Sequence, residues 1–309
     1  MDNVVLAKFR GIHAATVVPF TQDYRLDEAA LSDHIRHVTA TPGIKGLLVN
    51  GHAGENFLLD LEEKRTIVRI ARSLIPDGCT LVSGVNQESS ISAAREAVAL
   101  EDEGADGLLV FPPNSWALGQ TDDAIERHHH YIRDATHGPL LIYGAPISAG
   151  TMAYEPSTLL MLASIPRIVG IKEGSWEVSR YEANMRLLKA ARPDFLVLGS
   201  GDEHLLTSYL IGSVGSQVSL AAVIPEIVCA LWDAAEMKDW NAARAIHEQL
   251  YPLSVAVYRD QPSGRATSRL KACLKILGLV SNDFVRPPQA AATQEEYRRL
   301  ERALHGLKL

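Results

Sequence analysis

Ile168-Val169-Gly170-Ile171 runs into Lys172, and Leu140-Leu141-Ile142 runs into Tyr143. Two apolar, strand-like runs therefore end in the polar groups that imine chemistry needs. A lysine at the end of a buried strand is partly desolvated, which favours its neutral, nucleophilic amine and lets it condense with a ketone. A tyrosine one strand away can shuttle the protons that carbinolamine formation and breakdown require. Alone, a strand-end lysine is more often a solvated charge and a strand-end tyrosine more often a packed ring. On adjacent strands, the two together make an enzyme the leading reading.

The elements that must position this pair follow from the rhythm of the chain. Strand-like runs lie at 12–18, 46–50, 80–85, 107–111, 139–143, 168–172, 195–198 and 217–220. Between most of them runs a helix-period stretch, such as 62–74 with Ile67, Ile70 and Leu74 on one face, or the alanine-rich 91–103. Eight strands alternating with helices at about 30-residue spacing predict a (β/α)8 TIM barrel. An open doubly wound sheet gives a similar local pattern, but no GxGxxG follows the first strand. Residues 1–224 are read as the barrel and 225–309 as a C-terminal helical subdomain, because no convincing strand follows the eighth. In a barrel the carboxyl ends of the strands share one mouth, which would collect Thr16 and Pro19, residues 51–55 and 111–114, Tyr143, Lys172, residues 200–203 and Ser219.

Composition narrows the partners. A net charge of -7 with no basic stripe argues against nucleic acid. No segment is long and apolar enough to span a bilayer, and the start, Met1 to Lys8, reads as carrying no targeting leader. Cys79, Cys229 and Cys273 are odd in number and dispersed, so neither a disulfide framework nor a zinc knuckle is indicated, and a reducing cytoplasm is expected. His128-His129-His130 looks like a metal cluster, but consecutive helix residues point about 100° apart. The spacing of Ile125, His129 and Ile132 predicts a half-buried His129 with exposed neighbours.

The chain resembles the dihydrodipicolinate synthase and N-acetylneuraminate lyase superfamily of class I, pyruvate-type lyases over nearly its whole length. The matching pieces occur in order: 16–20 (TVVPF), 51–55 (GHAGE), 143–146 (YGAP), 170–173 (GIKE), 199–202 (GSGD) and 285–287 (VRP). The resemblance implies that Lys172 forms a Schiff base with the C2 carbonyl of pyruvate or a longer 2-keto acid, with Tyr143 as general acid/base. It implies that the backbone N–H groups of His52 and Ala53 bind the substrate carboxylate as an anion nest. Ala53, Gly54, Ser148, Val218 and Asp202 are the substrate-binding positions it carries over. No cofactor and no metal are implied, and a homotetramer built as a dimer of dimers is.

Three departures qualify the match. The loop after strand two commonly carries two hydroxyl residues in the family, where this chain has His52 and Ala53. A lost hydroxyl contact to a buried carboxylate costs about 1–3 kcal/mol if nothing replaces it. The His52 ring serves either as a second acid/base or as a space-filling hydrogen bonder. Asn114 stands where the synthase branch carries a tyrosine that reaches a neighbouring subunit, and Ser148 where it carries an arginine for the carboxylate of aspartate semialdehyde. The expectation is therefore an aldolase of this family that is not a true dihydrodipicolinate synthase. A 2-keto-3-deoxy sugar acid dehydratase on the same imine, and a non-catalytic keto-acid-binding protein, are the alternatives.

The acceptor side is open. Ser148, Asp202, Glu203 and Ser219 can line a polyhydroxylated tail. Asp202 is more readily read as the N-cap of a helix beginning near Glu203. Trp116 and Trp176 can form one wall of a more aromatic pocket, although barrel packing also explains Trp176.

Overall fold

A computed structural model describes residues 3–307; the outermost residues of the two expected domains, 1–2 and 308–309, lie outside it. Eight parallel strands close into a barrel in chain order: β1 (Gly11–Ala15), β2 (Ile44–Val49), β3 (Thr80–Val85), β4 (Gly107–Val110), β5 (Leu140–Gly144), β6 (Ile168–Glu173), β7 (Leu196–Gly199) and β8 (Gly215–Val218). With helices packed between them this is a (β/α)8 TIM barrel. β3, β5 and β6 are buried on both faces along their whole length, which is why these runs read as continuously apolar rather than alternating.

Short helix α1 (Asn3–Ala7) lies ahead of β1, and its Leu6 packs with Phe9 among the barrel-interior residues. The outer layer follows as α2 (Glu28–Ala40), α3 (Leu61–Leu74), α4 (Ser90–Asp102), α5 (Asp122–Ala135), α6 (Pro156–Ser164), α7 (Val178–Ala191), α8 (Leu205–Ile211) and α9 (Pro225–Glu236). Their starts are chemically marked. Asp27, Asp60, Ser89 and Thr121 each accept a backbone N–H of the first turn, and Asp60 with Glu63 forms a full capping box. Although it follows the sequence boundary at 224, α9 packs on β1 and α8 and so completes the ring. Beyond it, α10 (Trp240–Tyr258), α11 (Ala266–Ile276) and α12 (Gln294–His305) pack on one another, and α10 packs against α9.

These last helices also reach the mouth of the barrel. α10 touches the turn at Asp202–His204, and α11 touches the turn at His52–Gly54. Inside the barrel, Leu48, Val82, Leu109, Leu141, Leu196 and Leu198 fill the space below that mouth. Gly170 is required there: a Cβ on it would lie 2.6 Å from the Leu196 carbonyl oxygen and 3.0 Å from Leu141.

Several local expectations change. β1 ends at Ala15, so Thr16 lies in the loop beyond it, and β8 begins at Gly215 and ends at Val218. His128 is buried along with His129, because Trp116 packs edge-on over the His128 ring at 5.3 Å. Only His130 of the three reaches solvent, and its Nδ1 meets the Arg133 guanidinium. Among the described residues, no group of three or more His, Cys, Asp or Glu side chains can hold a metal ion, and no helix is long and apolar enough to cross a membrane.

Candidate active site

Lys172 and Tyr143 are direct register partners on β6 and β5. The Lys172 Nζ lies 5.9 Å from the centroid of the Tyr143 ring, and both side chains are over nine-tenths buried. Burial lowers the Lys172 ammonium from its ordinary 10.5 to about 8, with the Asp202 carboxylate pulling the other way. At about 8, roughly a tenth of the amine is neutral at pH 7, against fewer than one in a thousand for a solvated lysine. Burial, and after it the Glu173 charge, pushes the Tyr143 phenol up, so it holds its proton at neutral pH and is available as a donor. Glu173 itself points away from the mouth into the outer layer, where Asn184 and Ser175 bind its carboxylate.

The loop after β2 supplies the opposite wall. Asn50, in the left-handed region at φ 53°, donates to Ser83 Oγ and the Lys64 carbonyl and starts the turn. Gly51 precedes a single 3-10 turn over His52–Gly54, in which Gly54 N–H donates to the Gly51 carbonyl and Glu55 N–H to the His52 carbonyl. The His52 and Ala53 amides open that turn, and first-turn N–H groups have no partner within their own helix. The His52 ring lies 4.4 Å from the Phe111 ring and 5.1 Å, edge-on, from Tyr143. The rest of the residue is exposed to solvent. Desolvation by the aromatic wall, then the Lys172 charge, holds the imidazole below its ordinary range, so it is neutral at pH 7.

Asp202 does not cap a helix. Its Oδ1 accepts the Leu220 N–H at 2.8 Å, tying the β7 loop to the β8 loop, while α8 begins later with His204 at its N-cap. The carboxyl is buried, and that raises it to about 6 against the pull of the Leu220 N–H and Lys172. The Tyr258 hydroxyl, at the end of α10, sits beside Asp202 and Ser219 without a well-formed hydrogen bond. Nothing in the sequence around Tyr258 announced this; only the long return of α10 across the mouth places it.

The remaining expected positions separate. Ala53 and Gly54 are buried in the 3-10 turn, while Ser148 is exposed on the turn over Ile147–Met152. Val218 pairs with Ala14 and buries its side chain in the outer core, so only its main chain borders the mouth. Glu203 is engaged by the Arg259 guanidinium and is not free for a substrate hydroxyl. Trp116 packs on His128, whereas Trp176 packs on Tyr258 at 5.2 Å, so the two do not share a wall. Trp176 precedes α7 rather than starting it, and holds a left-handed φ of 59°.

A closed barrel whose carboxyl-end mouth holds a desolvated lysine paired with a protonated tyrosine has the layout of a barrel enzyme. The model of the dihydrodipicolinate synthetase family matches residues 8–307. The 4-hydroxy-tetrahydrodipicolinate synthase 1 of Streptomyces coelicolor is 31% identical over 284 residues, spanning 91% of this chain and 88% of that protein. The 4-hydroxy-tetrahydrodipicolinate synthase of Rickettsia rickettsii is 25% identical, over 97% of this chain and 98% of its own. Among solved structures, a dihydrodipicolinic acid synthase family prophage protein of E. coli K12, in complex with pyruvate, superposes with TM-score 0.89 at 24% identity, covering 97% and 99% of the two chains. The chain belongs to the dihydrodipicolinate synthetase family, whose members are class I lyases.

Proposed function

We propose that this protein is a Schiff-base aldolase acting on a 4-hydroxy-2-keto acid and releasing pyruvate. The observation that carries the reading is the buried Lys172 amine, brought to about 8 and paired in register with Tyr143. Lys172 Nζ attacks the C2 carbonyl, and Tyr143 delivers the proton that lets the carbinolamine oxygen leave as water, giving the protonated imine. The proton of the C4 hydroxyl is then removed and the C3–C4 bond breaks. Its electron pair moves into the imine as an enamine, and the aldehyde departs. Protonation at C3 and hydrolysis return pyruvate and the free amine.

The amides of His52 and Ala53 hold the substrate carboxylate, and the neutral His52 imidazole serves as a second acid/base beside Tyr143. Asp202, facing Lys172 from the β7 loop, receives hydroxyls of the tail. Aspartate semialdehyde is not the acceptor in this reading. Ser148 and Asn114 supply neither a guanidinium nor a phenol, and the arginines flanking the mouth, Arg180 and Arg259, already face Glu155 and Glu203. The synthase names belong to relatives at 25% and 31% identity. We further propose assembly as a homotetramer in the cytoplasm. Leu118, 93% exposed on the turn after β4, supports a covering partner, and the three free cysteines support a reducing compartment.

The test is intact-protein mass after incubation with pyruvate and borohydride, which freezes an imine as a stable amine. One reduced pyruvyl unit is expected on wild type and none on Lys172→Ala. No adduct on either protein, with the fold intact by circular dichroism, would favour a keto-acid-binding protein. Water release without pyruvate from a panel of 4-hydroxy-2-keto acids would replace the aldolase with a dehydratase.

A further inference from the structure

The loop proposed to hold the substrate carboxylate is anchored from a distance of more than two hundred residues. Thr267, in the first turn of α11 and 8% exposed, donates its Oγ1 hydrogen to the His52 carbonyl at 3.3 Å. The same oxygen accepts the Glu55 N–H at 3.0 Å, so both of its lone pairs are engaged. One turn further along α11, Lys271 Nζ stands 3.4 Å from both oxygens of Glu55, with the two side chains 3% and 0% exposed. Lys271 also donates to the Phe284 carbonyl at 2.8 Å. Its ammonium sits 4.3 Å from the Phe20 ring centroid, and the Arg286 guanidinium lies 4.4 Å from the same ring. Arg286 in turn donates to the Leu58 carbonyl at the end of the loop.

We propose that Thr267, with Lys271 behind it, is a positioning residue for the carboxylate nest. The inference rests on the function proposed above and goes beyond it, because neither residue touches the substrate. The argument is one of peptide geometry. The His52 carbonyl and the Ala53 N–H belong to one planar trans peptide unit, so fixing the oxygen fixes the N–H, which points the opposite way. A hydroxyl on the α11 side of that unit therefore aims the Ala53 N–H away from α11. The Glu55–Lys271 pair closes the other end of the turn, where Glu55 holds a left-handed φ of 54°. With both ends held, the turn cannot rotate its amides toward water when the site is empty. Preorganised donors of this kind bind an anion without reorganising. The C-terminal helices thus act on substrate affinity rather than on the reacting atoms.

The experiment is the pyruvate dependence of borohydride trapping, read as the concentration giving half-maximal adduct, on full-length protein. Thr267→Val keeps the side-chain shape and removes the donor. Half-saturation is expected to rise about 3- to 10-fold, the loss of one hydrogen bond, while the plateau of trapping stays at one adduct. Thr267→Ala, which adds no methyl, is expected to match it, and Thr267→Ser to return to within about 2-fold of wild type. Ser268→Ala is the control for loosening of the helix, since Ser268 Oγ donates to the Ala290 carbonyl and not to the loop. It is expected to leave half-saturation unchanged. Wild-type trapping with an unshifted Thr267→Val, or an equal shift in Ser268→Ala, would overturn the positioning role while leaving the imine reading intact. No adduct on wild type would overturn both.

Discussion

Replacing Tyr143 with phenylalanine is expected to lower turnover of a 4-hydroxy-2-keto acid by about 10²- to 10⁴-fold, the usual worth of a positioned general acid/base. The substitution removes one oxygen and keeps the ring, whose contacts with Phe111 at 4.7 Å and His52 at 5.1 Å are unchanged. Burial holds the phenol above its ordinary range, so at neutral pH it is a stable proton donor that becomes a base only after giving that proton up. A group used this way matters at each step where a proton crosses to or from oxygen. The rate of imine formation should therefore fall together with turnover, whereas the final extent of borohydride trapping should match wild type, because Lys172, the proposed nucleophile, is untouched. Single-turnover kinetics and end-point mass measured on the same preparation separate the two. A turnover within about 3-fold of wild type would assign the proton transfers to His52 instead, the other titratable ring in contact with this wall.

Much of this site was legible because its parts end strands. Chain order, the continuous apolar runs and the polar residue closing each run place Lys172 and Tyr143 together, since neighbouring parallel strands in a barrel put their carboxyl ends side by side. What was not legible depends on contacts across the sequence. Asp202 precedes a helix and so reads as a cap, yet its carboxylate is taken by the Leu220 N–H eighteen positions on. Glu203 reads as a free carboxylate and is bound by Arg259 from α10. Val218 looks like a mouth residue by position, but strand register turns its side chain outward. His128 looks exposed by helical period, but a loop tryptophan covers the surface that the period assigns to solvent. The anchors Thr267 and Lys271 sit in a helix with no motif, where only the packing of α11 on the β2 loop gives them a role.

The desolvation proposed to make Lys172 reactive should also make it costly, and Lys172→Met exposes that cost. Methionine fills the same volume without a charge, so the variant should lose imine trapping and turnover altogether yet unfold at a higher temperature than wild type at pH 7. A fall in the ammonium from 10.5 to about 8 is worth about 3 kcal/mol against folding. Part of this is offset, because Asp202, already raised to about 6, loses the neighbouring positive charge and rises further. The net gain expected is about 1–3 kcal/mol, a few degrees in Tm. Its pH dependence has a definite sign. Below about pH 8 the lysine is protonated both folded and unfolded, and wild type bears the whole cost of burying the charge. Between about 8 and 10.5 the unfolded chain binds the proton that the folded one has released, so wild-type stability rises relative to the variant. The advantage of Lys172→Met should therefore be complete at pH 7 and vanish as pH approaches 10.5. Paired chemical denaturation of the two proteins across that window reads the difference directly. A variant less stable than wild type at pH 7, or a gap independent of pH, would mean that the amine is solvated through the mouth. Its nucleophilicity would then have to come from the bound substrate rather than from the fold.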